Sequence, residues 1–227
     1  MHIEPGVVDG AKIILSYATG IGALALTGKM AVDTIRKDGG ATALAARSLA
    51  TTGLVLSFFQ VLPHYPVGVS EVHLILASTL FLIFGAGPAA IGLVSGLLLQ
   101  GLFFAPFDLP QYGMNVTTLI VPLFALSLLA KKVIGEKTRY VDVNYWQALA
   151  LSTSYQGGVV AWVAFWALYG QGFAVENINA ISLFGGAYMA VILIEPLVDL
   201  AVLAVAKFIS KGSNSPMINQ RLFHAAA

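Results

Sequence analysis

The chain has 227 residues, of which 58% are hydrophobic and 10% are charged, with a formal net charge of +1 and no cysteine. Soluble domains carry about a quarter charged residues, so this composition excludes an ordinary soluble protein and indicates that lipid is the solvent. The lack of a long basic run excludes nucleic acid as a partner. The lack of cysteine excludes disulfides and thiolate metal sites.

The hydropathy pattern predicts an all-α fold, a polytopic membrane helical bundle of about seven transmembrane helices. Residues 74–104 and 143–175 hold no charged side chain, and about 20 apolar residues suffice to cross the hydrocarbon core. In chain order the helices are predicted at 8–30, 42–62, 71–85, 88–104, 115–132, 144–171 and 181–208. We expect a single transmembrane domain over 1–208 and a short cytoplasmic tail over 209–227.

The first residues do not resemble a signal peptide. Residues 1–11 hold no Lys or Arg but include Glu4 and Asp9, which is the opposite of a basic leader. We therefore expect Met1 to be retained in the mature protein.

The third and fourth predicted helices are short, because "GAGP" at 85–88 divides a charge-free stretch. The favoured interpretation is two steep full spans joined by a tight turn. The alternative is a broken pair, which is tolerated at membrane depth only where it lines a cavity or packs on protein.

Basic residues orient the predicted bundle. Alternate crossings place eleven of the twelve on one side, and Lys12 is the exception. The eleven are Lys29, Arg36, Lys37, Arg47, Lys131, Lys132, Lys137, Arg139, Lys207, Lys211 and Arg221. The positive-inside rule makes that side cytoplasmic, so the amino terminus is expected outside the cell (inner) membrane.

The opening "MH" is a chelator. The Met1 amine, the deprotonated amide of His2 and the His2 imidazole can bind one ion through five- and six-membered rings. Three in-plane nitrogens leave a fourth position open, and this geometry suits Ni²⁺ or Cu²⁺, with Co²⁺ also able to bind nitrogen. An accidental histidine at an exposed end is the competing explanation.

A fourth ligand has few candidates, since only three other histidines exist. His224 lies in the predicted cytoplasmic tail, on the wrong side. His73, at the start of the third predicted helix, is favoured because an imidazole inside a membrane helix is costly unless paired or functional. His64, in the outer loop, is the reserve.

Four further polar residues are candidates for a supporting role. Glu71 could neutralise the cation or hold a ligand, and Asn115 could orient a ligand or simply cap its helix. Glu195 and Asp199 are four residues apart and so share one helix face, where they could line an inner path or contact a partner.

Several stretches resemble the CbiM/NikM family, the integral metal-binding components of energy-coupling-factor-type cobalt and nickel importers. They are "MHIEPG", "GVSEVHLILA", "GPAAIGLVSGLLLQGLFF" and "YGMNVTTLIVP", within residues 1–6 and 66–125. Glu4 and Pro5 depart from the family's usual opening. Ser70 lies three residues before His73 where the family more often has two, and this keeps His64 open.

The resemblance implies a substrate-binding component of a cobalt or nickel ABC transporter that holds the ion with Met1, His2 and His73 on the outer side. Co²⁺ or Ni²⁺ would be the transported substrate, with no organic cofactor. Expected partners are membrane lipid, a coupling transmembrane subunit and an ATP-binding-cassette ATPase, with a small accessory membrane subunit left open. The cytoplasmic loops 31–41 and 131–143 are candidate docking surfaces.

Two other classes of function are open to a membrane bundle. The sequence has no Walker A, HExxH or GxSxG motif, so we do not expect an enzyme. The remaining alternative is a self-sufficient ion- or proton-coupled secondary transporter that uses Glu195 and Asp199, although seven spans without a visible repeat are less natural for it.

Overall fold

The computed structural model describes residues 3–209 and 215–225, which form eight α-helices and one β-hairpin. The helices are α1 (Ile13–Lys37), α2 (Gly40–Val61), α3 (Ala77–Phe84), α4 (Ala86–Phe103), α5 (Tyr112–Val133), α6 (Tyr145–Gln171), α7 (Val175–Met189) and α8 (Glu195–Ile209). A 3₁₀ turn at Ala190–Leu193 joins α7 to α8, so the helices make seven rods. The predicted all-α membrane bundle is confirmed.

Five rods in the described part of the chain are long and apolar enough to cross a membrane. They are Gly10–Lys37, Gly40–Val61, Ala86–Phe103, Pro106–Val133 and Val175–Ile209. Helix α6 has 27 residues, or about 40 Å at helical rise, but it carries the polar run "STSYQ" at 152–156. It is therefore the more polar, central helix of the bundle, and it packs on α3, α5, α7 and α8.

The third crossing differs from the predicted helix 71–85. Strands β1 (Tyr65–Val67) and β2 (Ser70–Val72) form an antiparallel hairpin, and α3 begins only at Ala77. Its eight residues span about 12 Å, so the interpretation as two steep full spans is wrong. The non-helical segment 73–76 lies mostly buried against protein, which is the condition under which a broken crossing is tolerated.

Glycines allow close contact between the long helices. A Cβ at Gly113 of α5 would lie 2.4 Å from the Ser16 carbonyl oxygen of α1, and one at Gly92 of α4 would lie 2.5 Å from Thr51 Oγ1 of α2. Small residues at such crossings are typical of membrane bundles, where dispersion contacts replace the hydrophobic effect between helices. The glycines thus hold α1 to α5 and α2 to α4.

The two ends of the bundle differ in character. The basic end carries the turn between α1 and α2, where Arg47 is fully buried and pairs with Asp38 at 2.6 Å. Residues 215–225 pack on this end, since Arg47 Nε donates to the Pro216 carbonyl and the Asn219 amide donates to the Ile83 carbonyl. The hairpin end carries β1, β2 and the start of α5.

Gly113→Ala is expected to lower the free energy of unfolding by about 1–3 kcal/mol, because the added methyl overpacks the crossing of α1 and α5. Thermal unfolding in detergent measures this as a lower midpoint temperature. Gly22→Ala is the matched control, since a Cβ there has no atom within 4 Å. Equal midpoints for the two variants would show that α1 and α5 are not in close contact.

Candidate metal site

Met1 and His2 lie outside the described residues, and the first described residue is held firmly at the hairpin end. Ile3 is fully buried and forms an antiparallel bridge with Ser70 of β2. Its amide donates to Asn115 Oδ1 at 3.0 Å, and the Glu4 amide donates to the Val69 carbonyl at 3.2 Å. The segment 3–4 therefore pairs with the β2 end of the hairpin, on the side opposite β1.

The hairpin itself is docked on the bundle by its turn. Gly68 has a φ of +62°, a backbone conformation that favours glycine, and a Cβ there would lie 2.1 Å from the Ala180 carbonyl oxygen of α7. Tyr65 pairs with Val72 and Val67 pairs with Ser70. This short sheet brings three chain segments to one place: residues 3–4, residues 65–67 and residues 70–72.

His73 follows β2 directly. It precedes α3 by four residues, so the prediction that it opens a helix is wrong, because β2 takes the chain into sheet pairing first. Its side chain is 1% exposed. Its Nε2 lies 2.8 Å from Glu71 Oε2, a hydrogen bond in which the ring donates, and Phe59 meets the ring edge-on at a centroid distance of 5.4 Å.

The two histidines that the sequence left as alternatives lie together. The His64 ring stacks on the His73 ring with centroids 4.9 Å apart and an interplanar angle of 4°. His64 is exposed, and its Nδ1 donates to the Leu62 carbonyl at 3.2 Å. Of the two, His73 is the buried imidazole and His64 covers it from the solvent side.

Asn115 has a different role from the N-cap that the sequence favoured. Helix α5 begins at Tyr112, and the N-cap position is Gln111, so Asn115 lies within the first turn and the capping interpretation is wrong. Its side chain is buried and accepts the Ile3 amide. Asn115 thus connects the transmembrane bundle to the segment that leads back to His2.

Glu195 and Asp199 lie in the first turns of α8, away from the hairpin. Both are fully buried. Glu195 Oε2 accepts from Ser152 Oγ at 2.5 Å and Gln156 Nε2 at 2.7 Å, both on α6. Asp199 accepts from Thr79 Oγ1 of α3. As expected, Glu195 and Asp199 lie on one face of α8. This face contacts the first turn of α3 through Thr79.

Several contacts at these places were not predicted from the sequence. The bridge from Ile3 to Ser70 had no signal, because one backbone pair leaves no pattern. The hydroxyl and amide partners of Glu195 did leave a signal in the sequence, since Ser152 and Gln156 belong to a polar run inside a charge-free span. Polar residues four apart in such a span share a face and need polar partners.

Comparison with known proteins gives one family. The family model described as the cobalt uptake substrate-specific transmembrane region, CbiM, matches residues 2–211. No curated protein and no solved structure matches the chain.

Asn115→Leu is expected to speed amide hydrogen exchange at Ile3 at least about tenfold, because the buried amide loses an acceptor whose absence costs roughly 1–3 kcal/mol. Hydrogen-exchange mass spectrometry of an amino-terminal peptide measures this. Asn115→Asp is the matched control, since it keeps an oxygen at the same position and should retain most of the protection. Unchanged exchange in Asn115→Leu would contradict the anchoring role.

Proposed function

The chain belongs to the CbiM family of cobalt uptake substrate-specific transmembrane regions, and we propose that it captures the ion with Met1, His2 and His73 at its hairpin end. Family membership makes the chain a multi-pass membrane protein and a component of cobalt uptake that works with transporter partners. Cobalt is the transported substrate. We propose in addition which residues bind the ion, that nickel is also accepted, and which kinds of subunit are the partners.

The anchoring of Ile3 is the observation that carries the proposal. Consecutive Cα atoms are 3.8 Å apart, so His2 and Met1 remain within about 8 Å of Ile3. His73 follows Ser70, the partner of Ile3, by three residues, or about 10 Å of extended chain. The antiparallel register continued by one residue would bring His2 opposite Glu71, whose side chain already contacts His73.

The chemistry of His73 suits a fourth ligand. A neutral imidazole that donates Nε2–H to a carboxylate carries its lone pair on Nδ1, and such a carboxylate fixes the ring and raises its basicity. Glu71 occupies this position. We assign Nδ1 of His73 as the ligand atom, with Glu71 as the orienting group, Asn115 as the anchor of the chelating segment and His64 as the cover.

The same four nitrogens accept either Co²⁺ or Ni²⁺. Raw affinity follows the Irving–Williams order, in which Ni²⁺ binds nitrogen ligands more tightly than Co²⁺. Biological selectivity between the two ions then depends on their supply and on the partner subunits. We therefore include nickel among the substrates.

The basic end is assigned to the cytoplasm by the positive-inside rule, which puts the hairpin end and the metal site outside the cell inner membrane. An ATP-binding-cassette ATPase would supply energy through a coupling membrane subunit of the energy-coupling-factor type. Lys131 and Lys132, in the last turn of α5 at the start of the predicted loop 131–143, are exposed and available for docking. In the same loop, hydrogen bonds from Arg139 and Lys207 hold the pKa of Asp142 below its usual range, so this loop keeps its ion pairs at neutral pH.

Removal of a ligand is expected to weaken ion binding at least about 100-fold, since loss of an outer partner alone costs roughly 10–100-fold. The variants are His2→Ala, His73→Ala and a chain with one residue added before Met1. Titration calorimetry of the full chain in detergent with Co²⁺ and Ni²⁺ measures the dissociation constants, and mass spectrometry verifies the added residue.

His64→Ala is the matched control for His73→Ala, because the two rings are stacked and only the buried one is assigned to the metal. It should bind within about tenfold of the unmodified chain. Tight binding by the chain with the added residue would show that the terminal amine is not a ligand. Loss of binding in His64→Ala alone would transfer the fourth ligand to His64.

Ion binding is expected to release about two protons per ion at pH 7. The amide gives up its proton, and an α-amine, whose ordinary pKa is near 8, is mostly protonated at that pH. The dissociation constant should therefore fall roughly 100-fold per pH unit near pH 7. Calorimetry in buffers of different ionisation enthalpy counts the protons, and release of less than one would exclude the amine and amide as ligands.

A further inference from the structure

Two carboxylates in the membrane interior have no cationic partner among the described residues. Glu195 and Asp199 are fully buried. The described Lys and Arg side chains that form ion pairs do so with Asp33, Asp38 and Asp142, all towards the basic end. Two buried negative charges require two positive charges, supplied by protons or by a bound cation.

The well-formed side-chain hydrogen bonds reach one oxygen of each carboxylate. Ser152 and Gln156 both donate to Glu195 Oε2, and Thr79 donates to Asp199 Oδ1. The other two oxygens, Glu195 Oε1 and Asp199 Oδ2, are buried and have no hydrogen bond of good geometry within the part of the chain that the structure describes, although the Leu76 backbone interacts with the Glu195 carboxylate and the Ser78 hydroxyl with that of Asp199. The α6 and α3 donors therefore orient the pair and leave one oxygen of each group available.

Neighbouring side chains add buried oxygens of the same kind. The hydroxyls of Tyr155 and Tyr188 are fully buried, interact electrostatically with Glu195 and have no hydrogen-bond partner among the described residues. The same holds for Oε1 of Gln156, whose Nε2 contacts Glu195. Buried polar atoms are nearly always satisfied, so several unsatisfied oxygens around two carboxylates indicate a place for a cation.

The acid pair lies directly inward of the candidate metal site. The backbone of Leu76 contacts the Glu195 carboxylate, and Leu76 follows His73 by three residues, which span at most about 10 Å. From Leu76, α3 continues for about 12 Å to Phe84, whose carbonyl accepts from buried Arg47 at the basic end. The acid pair is therefore the intermediate point between the hairpin end and the basic end.

The backbone beside the pair is unusual. Leu76 has a φ of +55° and is the one non-glycine residue with a positive φ in the described chain. No side chain caps α3 at this position. Strained backbone of this kind is found at functional sites and switch regions, and the acid pair lies at the point where the third crossing changes from extended chain to helix.

We propose that Glu195 and Asp199, with the hydroxyls of Tyr155 and Tyr188, form a second site that receives the divalent transition-metal ion after it leaves the hairpin end. The inference rests on the proposed function and adds a step to it. Carboxylate and hydroxyl oxygens bind such ions more weakly than imidazole and amine nitrogens, which suits a site of transit. Two carboxylates also balance the +2 charge of the ion.

Tyr155→Phe and Tyr188→Phe test the site with little risk to folding, because each removes only an oxygen that has no hydrogen-bond partner within residues 3–209 and 215–225. Uptake of radioactive Co²⁺ by cells that express the complete transporter should fall at least fivefold in the double variant. Binding of Co²⁺ to the purified full chain should stay within twofold, and its thermal midpoint should not fall. Tyr17→Phe, at an exposed position on α1, is the matched control and should transport normally.

Glu195→Gln with Asp199→Asn tests the charges. Both amides keep an oxygen that can accept from Ser152, Gln156 and Thr79, so a purely structural role would survive. The double variant should lose uptake at least tenfold while retaining binding at the hairpin end, and Glu195→Asp should restore part of the uptake. Normal uptake in both double variants would overturn the transit site. Failure of the unmodified chain to bind Co²⁺ would instead overturn the proposed function.

Discussion

The candidate site depends on one backbone segment, residues 3–4, which is fixed by hydrogen bonds to the surrounding protein. The Ile3 amide would be costly to bury without an acceptor, and Asn115 and the strand β2 together satisfy the backbone of this segment. This anchoring fixes the backbone directly after the two residues that are proposed to chelate the ion. In the proposed site, a chelator made of a terminal amine and the next residue would bind tightly only when held near its remaining ligand, and the short sheet would provide that proximity.

The broken third crossing follows from the same requirement. Because residues 70–72 pair with β1 and with Ile3, the chain cannot begin a helix within them, and α3 begins only at Ala77. The segment 73–76 must then find partners for its backbone inside the bundle, since lipid offers none. The start of α8 and the polar face of α6 provide this environment. The polar residues of α6, which reduce its hydropathy, are those that surround the start of α3.

Composition and periodicity predicted the parts of this structure that extend over many residues. The helical rods and the basic end were predicted from patterns that repeat along the chain. The acid pair was predicted because acidic residues such as Glu195 are rare in a membrane span. His73 was proposed as a ligand by chemistry, because few histidines were available, and this stays a prediction. The hairpin was missed because strands of three residues have no usable periodicity, although Gly68 between β-branched residues was a turn signal. Asn115 was identified by type and position, but its bond to Ile3 joins residues 112 positions apart, which no local pattern can report.

Charge balance connects the two proposed sites. At the hairpin end a divalent ion would meet one negative charge on the deprotonated amide of His2 and a second on Glu71. One step inward it would meet Glu195 and Asp199, again two charges. Moving an isolated divalent ion into a low-dielectric interior has a prohibitive free-energy cost. At each site along its path, the ion and its ligands together should therefore carry no net charge. In the proposed scheme, the softer nitrogen site would favour capture from dilute solution, and the oxygen site would bind less tightly and so allow release. Because the two proposed sites would have the same net charge and decreasing affinity, a rearrangement driven by the transporter partners would move the ion without separating charge in the membrane.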